Sequence, residues 1–88
     1  MIKEPENYFE ISQERLDNEP IKLIGEYIRY MRKTKGMTIQ QLAEASGVDK
    51  MTISQIETGK RTDSVRLGTI QKLLKSLGVS FEIGLLLD

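Results

Sequence analysis

Residues 36–61 run GMTIQQLAEASGVDKMTISQIETGKR, a stretch that carries two helix starts and two helix stops. Thr38 and Gln41 stand three apart, the spacing of a capping box, so a helix is expected to begin there. Ile39, Leu42 and Ala43 form its inner face. It reaches only Ala45 or Ser46, because Gly47 interrupts it and Asp49 offers a fresh N-cap. The next helix is expected over residues 50–58, with Ile53 and Ile56 facing inward and Gly59 ending it, followed by the basic pair Lys60 and Arg61. Two short helices therefore meet across a four-residue turn that contains a glycine.

Outward from this pair, the apolar residues Ile21, Ile24, Ile28 and Met31 recur at steps of three, four and three, which predicts a helix over 21–35. Its last turn holds Arg32, Lys33 and Lys35, which suit the negative end of a helix dipole, and Gly36 is its stop. Downstream, Leu67, Ile70, Leu73, Leu74 and Leu77 share one side of a helix over 67–77, with Gly78 as its cap. Gly68 and Thr69 are weak helix formers, so its start is poorly marked. The tail VSFEIGLLLD then changes period: Val79, Phe81, Ile83, Leu85 and Leu87 alternate as in a β-strand. A strand needs a partner for its backbone groups. Residues 7–11, NYFEI, offer one within the chain, although ENYFEISQERL (6–16) reads equally well as a helix with Phe9 and Leu16 on one side. The simpler partner is the same strand of a second copy, which makes Val79, Phe81, Ile83 and Leu85 the expected homodimer interface.

The 88 residues are 39% hydrophobic and 30% charged, which fits one small globular unit. The expectation is an all-α fold of four to five helices, divided into an acidic N-terminal arm or short helix (1–20), a helical domain (21–78) and a C-terminal strand (79–88). With no Cys and no His, the chain has no thiol nucleophile, disulfide or zinc-finger ligand, and no side chain that titrates near neutrality unperturbed. No nucleophile–base pair or metal-ligand spacing stands out, so neither an enzyme nor a cofactor or metal is expected. The sequence shows no signal-like segment and no run of eighteen apolar residues, so a cytoplasmic protein without membrane contact is expected. The zero net charge hides an asymmetry. Residues 1–20 set two cations against six carboxylates, a net of −4, whereas residues 22–75 set eleven cations against five, a net of +6. The central block attracts a polyanion, or its lysines merely keep helix faces solvated.

The stretch 36–61 is a helix-turn-helix motif and resembles the phage-repressor-like Xre family, with Thr38, Leu42-Ala43, Gly47-Val48, Ile53-Ser54, Ile56-Glu57 and Gly59-Lys60 at that family's spacing. The resemblance extends from about residue 21 to Val79 and implies a lambda-repressor-like domain that binds double-stranded DNA as a homodimer on a near-palindromic site. Ala43 is then small because the recognition helix crosses closely there, and Val48 fills the angle between the two helices. The resemblance also implies that Arg32 pairs with Glu57. Transferred position by position, the base readers are Lys50, Met51 and Gln55, with Thr52 and Ser54 secondary. Lys50 suits guanine, Gln55 suits adenine, and Met51 either packs on a thymine methyl or fills a gap in the core. Phosphate contacts fall to Thr38, Gln40, Lys60, Arg61 and Lys35. Two departures weaken the parallel: Ile39 stands where the family very often has Gln, and Asp63 and Arg66 occupy a loop where many relatives have Pro and Ser. A hydrophobic strand directly after such a core is similar to HipB-type antitoxins, which leaves a second role open, capture of a protein partner such as a kinase toxin.

Overall fold

The computed structural model describes residues 12–61 and 65–79, which form five helices: α1 Gln13–Asn18, α2 Pro20–Thr34, α3 Ile39–Ser46, α4 Lys50–Glu57 and α5 Leu67–Ser76. The described residues are thus all-helical, as expected from the apolar periodicity. The C-terminal strand expected over 79–88 lies outside them except for Val79, and so do Phe81, Ile83 and Leu85. Val79 is half-buried against the core of its own chain, and its N–H donates to the Leu74 carbonyl at 2.9 Å. Within the segment expected to be an arm or short helix, residues 13–18 are helical.

Local signals set the helix ends. Thr38 Oγ1 accepts from the Gln41 N–H at 3.0 Å while Gln41 Oε1 accepts from the Thr38 N–H at 2.8 Å, a complete capping box at the start of α3. Asp49 caps α4, its carboxylate accepting from the Thr52 N–H at 3.1 Å and from the Thr52 hydroxyl at 2.7 Å. These two bonds hold the Asp49 carboxyl below its ordinary pKa. Between α3 and α4 the chain turns at Gly47, whose φ of 79° lies in the left-handed region that a side chain would strain.

The core joins Ile28 of α2, Leu42 of α3, Val48 of the turn, Ile53 and Ile56 of α4, and Ile70, Leu73, Leu74 and Leu77 at the end of the chain's helical part. Two expected inner faces are corrected in detail. On α2 the buried residues are Leu23, Gly25, Ile28 and Arg32, whereas Ile21, Ile24 and Met31 are only half-buried. The apolar stripe of α2 is broad because α1 and α4 both pack against this helix, so a single step pattern does not mark its centre. On α5, Leu67 is 54% exposed, because the helix meets the core only from Ile70 onward.

A close helix approach, expected at Ala43, is found at Gly25. A β-carbon at Gly25 would collide with the Ile56 carbonyl oxygen, so α2 and α4 touch backbone to backbone there. Ala43 itself is half-buried against the core.

Candidate nucleic-acid interface

α4 has two faces with different tasks. Its inner face places Ile53 and Ile56 in the core, and its last residue, Glu57, is buried in a bidentate pair with Arg32. Arg32 Nε donates to Glu57 Oε2 at 2.8 Å and Nη2 to Oε1 at 2.9 Å, while Nη1 donates to the Met37 carbonyl at 2.8 Å. The last bond ties the pair to the loop just before α3. Glu57 raises the Arg32 pKa further above its ordinary value, against the opposing effect of burial. The orientation of α4 is therefore set by core packing, by Gly25 and by a buried ion pair.

The outer face is exposed and borders a groove of about 630 Å³ lined by Ile39, Gln40, Lys50, Met51, Ser54, Gln55 and Lys60. The structure thus brings together the expected base-reading positions Lys50, Met51, Ser54 and Gln55 with the expected phosphate contacts Gln40 and Lys60. Met51 is 66% exposed, which removes the alternative that it fills a gap in the core. An exposed apolar side chain between Lys50 and the half-buried Ser54 and Gln55 gives the groove an apolar floor with polar groups around it.

Other expected residues fall elsewhere. Thr52 faces a different depression, shared with Asp49, Arg61, Arg66 and Lys72, and its hydroxyl hydrogen is used on the Asp49 cap. The Lys35 ammonium lies beside Gly78 at the end of α5, away from the groove. Thr38 acts as the α3 cap, which leaves the N–H groups of Ile39 and Gln40 without an intrahelical partner at the edge of the groove. Ile39 is half-buried against the core and lines the groove as a hydrocarbon surface. Neither neighbouring glutamine simply takes the place of the polar residue missing there: Gln41 completes the capping box, and Gln40 Nε2 donates to Glu44 Oε2 at 3.0 Å.

One link at this face went unforeseen. Arg61 Nε donates to Gln55 Oε1 at 2.9 Å, and the N–H groups of Lys60 and Arg61 both donate to the Gln55 carbonyl at 2.9 and 3.3 Å. The chain leaving α4 folds back over Gln55, and no helical period signals such a contact between residues six apart.

Two capped helices across a left-handed turn, the second fixed from behind and open in front, define a helix-turn-helix domain. Residues 28–83 match the Helix-turn-helix family model, and the chain belongs to that family. It is 41% identical over 58 residues to the HTH-type transcriptional regulator RghRB of Bacillus subtilis, a match that spans 66% of this chain and 41% of that protein. It is also 41% identical over 58 residues to the HTH-type transcriptional repressor RghR of the same organism, over 66% of this chain and 42% of the relative. The HTH-type transcriptional regulator y4dJ of Sinorhizobium fredii is 34% identical over 59 residues, or 67% of this chain and 74% of the relative. The matches to the two Bacillus proteins thus span about two fifths of their length. No solved structure matches the chain. Among the described residues no helix is long and apolar enough to cross a membrane.

Proposed function

We propose that the chain is a sequence-specific DNA-binding transcriptional regulator that acts as a repressor, with α4 entering the major groove. The observation that carries this reading is the groove itself: Lys50, Met51, Ser54, Gln55 and Lys60 stand on one open surface of a helix whose other face is locked into the core. Lys50 at the start of α4 donates to guanine, Met51 packs on a thymine methyl, and Gln55 and Ser54 complete the readout. Lys60 after α4, with Gln40 and the free N–H groups at the start of α3, holds phosphates without reading sequence, and Arg61 adds positive charge beside it. Thr38, as the α3 cap, stands at the margin of this surface, whereas Lys35 lies away from it and adds only to the positive charge of the domain. The names of the relatives, a repressor and two transcriptional regulators, support the same role and carry no catalytic reading.

The regulator acts as a homodimer on a near-palindromic operator, since a two-fold pair of such domains places two α4 helices in successive major grooves. The alternating tail, with Val79, Phe81, Ile83 and Leu85, is the segment proposed to join the subunits. The test is fluorescence anisotropy of the purified chain against a labelled duplex from immediately upstream of its own gene, beside a scrambled duplex, over a salt series. The expected result is a preference of about a thousandfold or more for the upstream duplex, with affinity falling steeply as salt rises. Equal, weak binding to both duplexes would overturn the reading and turn the search towards a protein partner.

A further inference from the structure

We infer that Arg61 is a specificity-determining residue that acts through Gln55: by holding the Gln55 amide oxygen, it makes this side chain read guanine in preference to adenine. The inference rests on the proposed reading of α4 as the recognition helix and deepens it. A glutamine recognises adenine by using both ends of its amide, accepting from the N6 amino group and donating to N7. In this chain one of the two lone pairs of the amide oxygen is taken before DNA arrives, and the bond turns that oxygen towards Arg61. Gln55 Oε1 accepts from Arg61 Nε at 2.9 Å.

The placement of the two residues fixes what is left over. Gln55 lines the groove on the outer face of α4, whereas Arg61 lines the separate depression that holds Asp49, Thr52, Arg66 and Lys72. The amide is planar with oxygen and nitrogen at opposite corners, so the oxygen turned towards Arg61 leaves Nε2 for the groove. Nε2 carries two hydrogens and has no acceptor among the described residues. A base edge that offers two acceptors satisfies it, and guanine O6 and N7 are such an edge, whereas adenine presents a donor beside its single acceptor. The Gln55 carbonyl is held as well, by the N–H groups of Lys60 and Arg61, so the residue is gripped at both backbone and side chain. Such a grip also removes rotamer freedom before binding, which favours discrimination over adaptability.

The alternative role for Arg61 is a phosphate contact without influence on sequence, and the two roles leave different signatures. Removing a phosphate ligand weakens binding uniformly across sequences and lowers the salt slope by about one, whereas removing a group that orients a base reader changes preference at one position. The experiment is selection of bound duplexes from a randomised library, read by sequencing, for the full-length wild type, Gln55→Ala, Arg61→Met and Lys60→Met. Thermal denaturation of each variant verifies folding. Gln55→Ala identifies the base pair concerned as the position whose preference it flattens. At that position the wild type is expected to favour guanine over adenine by about tenfold, the scale of one good base contact. Arg61→Met is expected to bring adenine level with guanine or above it, because the freed amide can then use both ends. Lys60→Met, which removes the same charge one residue away, is expected to weaken all duplexes alike and keep the guanine preference. Arg61→Met with the guanine preference intact and uniformly lower affinity would overturn the inference while leaving α4 as the reader. A wild type that enriches no sequence at all would instead overturn the DNA reading, and the inference with it.

Discussion

Helix α2 carries two bidentate ion pairs of equal bond lengths and very different surroundings. Near its C-terminal end Arg32 meets Glu57 of α4 through two bonds of 2.8 and 2.9 Å, and near its middle Glu26 meets Arg15 of α1 through two bonds of 2.8 and 2.9 Å. The side chains of the first pair are 9% and 2% exposed, those of the second 36% and 37%. Equal distances therefore do not mean equal consequences. In the buried pair each ion has exchanged water for its partner, so losing one leaves the other stranded. In the exposed pair water and salt stand ready to replace either partner. The buried pair fixes the angle at which α4 presents its outer face, whereas the exposed pair clips a six-residue helix onto the outside of the domain.

The sharpest way to break this contrast is to remove one charge from each pair and compare. Glu57→Gln leaves the buried Arg32 guanidinium without its counter-ion and is expected to cost about 3–5 kcal/mol, read as a fall in the midpoint of urea denaturation. Replacing both residues, as Arg32→Met with Glu57→Leu, is expected to recover most of that loss, because the stranded charge goes with its partner. Recovered stability does not mean recovered function. Without the Arg32 bond to the Met37 carbonyl, the loop before α3 loses a tie, so operator affinity is expected to remain lower in the double variant than in the wild type. A double variant as unstable as Glu57→Gln would mean that the pair contributes through packing shape and not through charge.

Gly25 sharpens the same comparison without touching a charge. Its α-carbon faces the Ile56 carbonyl, one residue before Glu57, so Gly25→Ala forces the two helices apart beside the buried pair. The expected cost is about 1–3 kcal/mol, the usual range for overpacking a close contact, even though alanine is the better helix former. The variant is checked by thermal denaturation against Gly68→Ala, where a β-carbon meets open space and the helix propensity of alanine acts alone. A Gly25→Ala protein as stable as Gly68→Ala would show that α2 and α4 are not in backbone contact in solution.

These particulars also show which features are visible in a sequence. Thr38 with Gln41, Asp49 with Thr52, and Gly47 act over one helical turn or less, so their residues stand side by side in the chain and the helix boundaries follow from them. The face of α4 was legible for the same reason, since Ile53 and Ile56 leave Lys50, Met51 and Gln55 on the other side. Gly25 carries a signal of its own: a glycine inside a strongly periodic helix costs stability unless something must come close. Arg32 and Glu57 lie 25 positions apart, and no local rule joins them; the resemblance supplied that pair. The bond between Arg15 and Glu26 had neither a period nor a resemblance behind it. Leu67 shows the opposite error, an apolar repeat that continues one turn beyond the surface it packs against.

The smallest expected effect belongs to the exposed pair, and its salt dependence distinguishes it from the buried one. Glu26 has its pKa lowered, first by the hydrogen bonds from Arg15 and against a smaller opposing effect of burial. A carboxyl whose folded pKa lies below the unfolded value of about 4.3 contributes fully above that value, and the contribution is lost as pH falls through the folded pKa. Glu26→Gln is therefore expected to lower Tm slightly at neutral pH, by less than Gly25→Ala does, and to converge on the wild type as the solution is acidified below about pH 4. The loss stays small because Arg15 keeps its bond to Glu19 at 2.7 Å, so no charge is stranded. Added salt is expected to narrow the gap between Glu26→Gln and wild type at neutral pH, while leaving most of the gap caused by Glu57→Gln. Thermal scans of both variants over pH and salt test this directly. If Glu26→Gln were as costly as Glu57→Gln and as indifferent to salt, α1 would be part of the rigid frame that holds α4, and the distinction between a structural pair and a surface clip would fail.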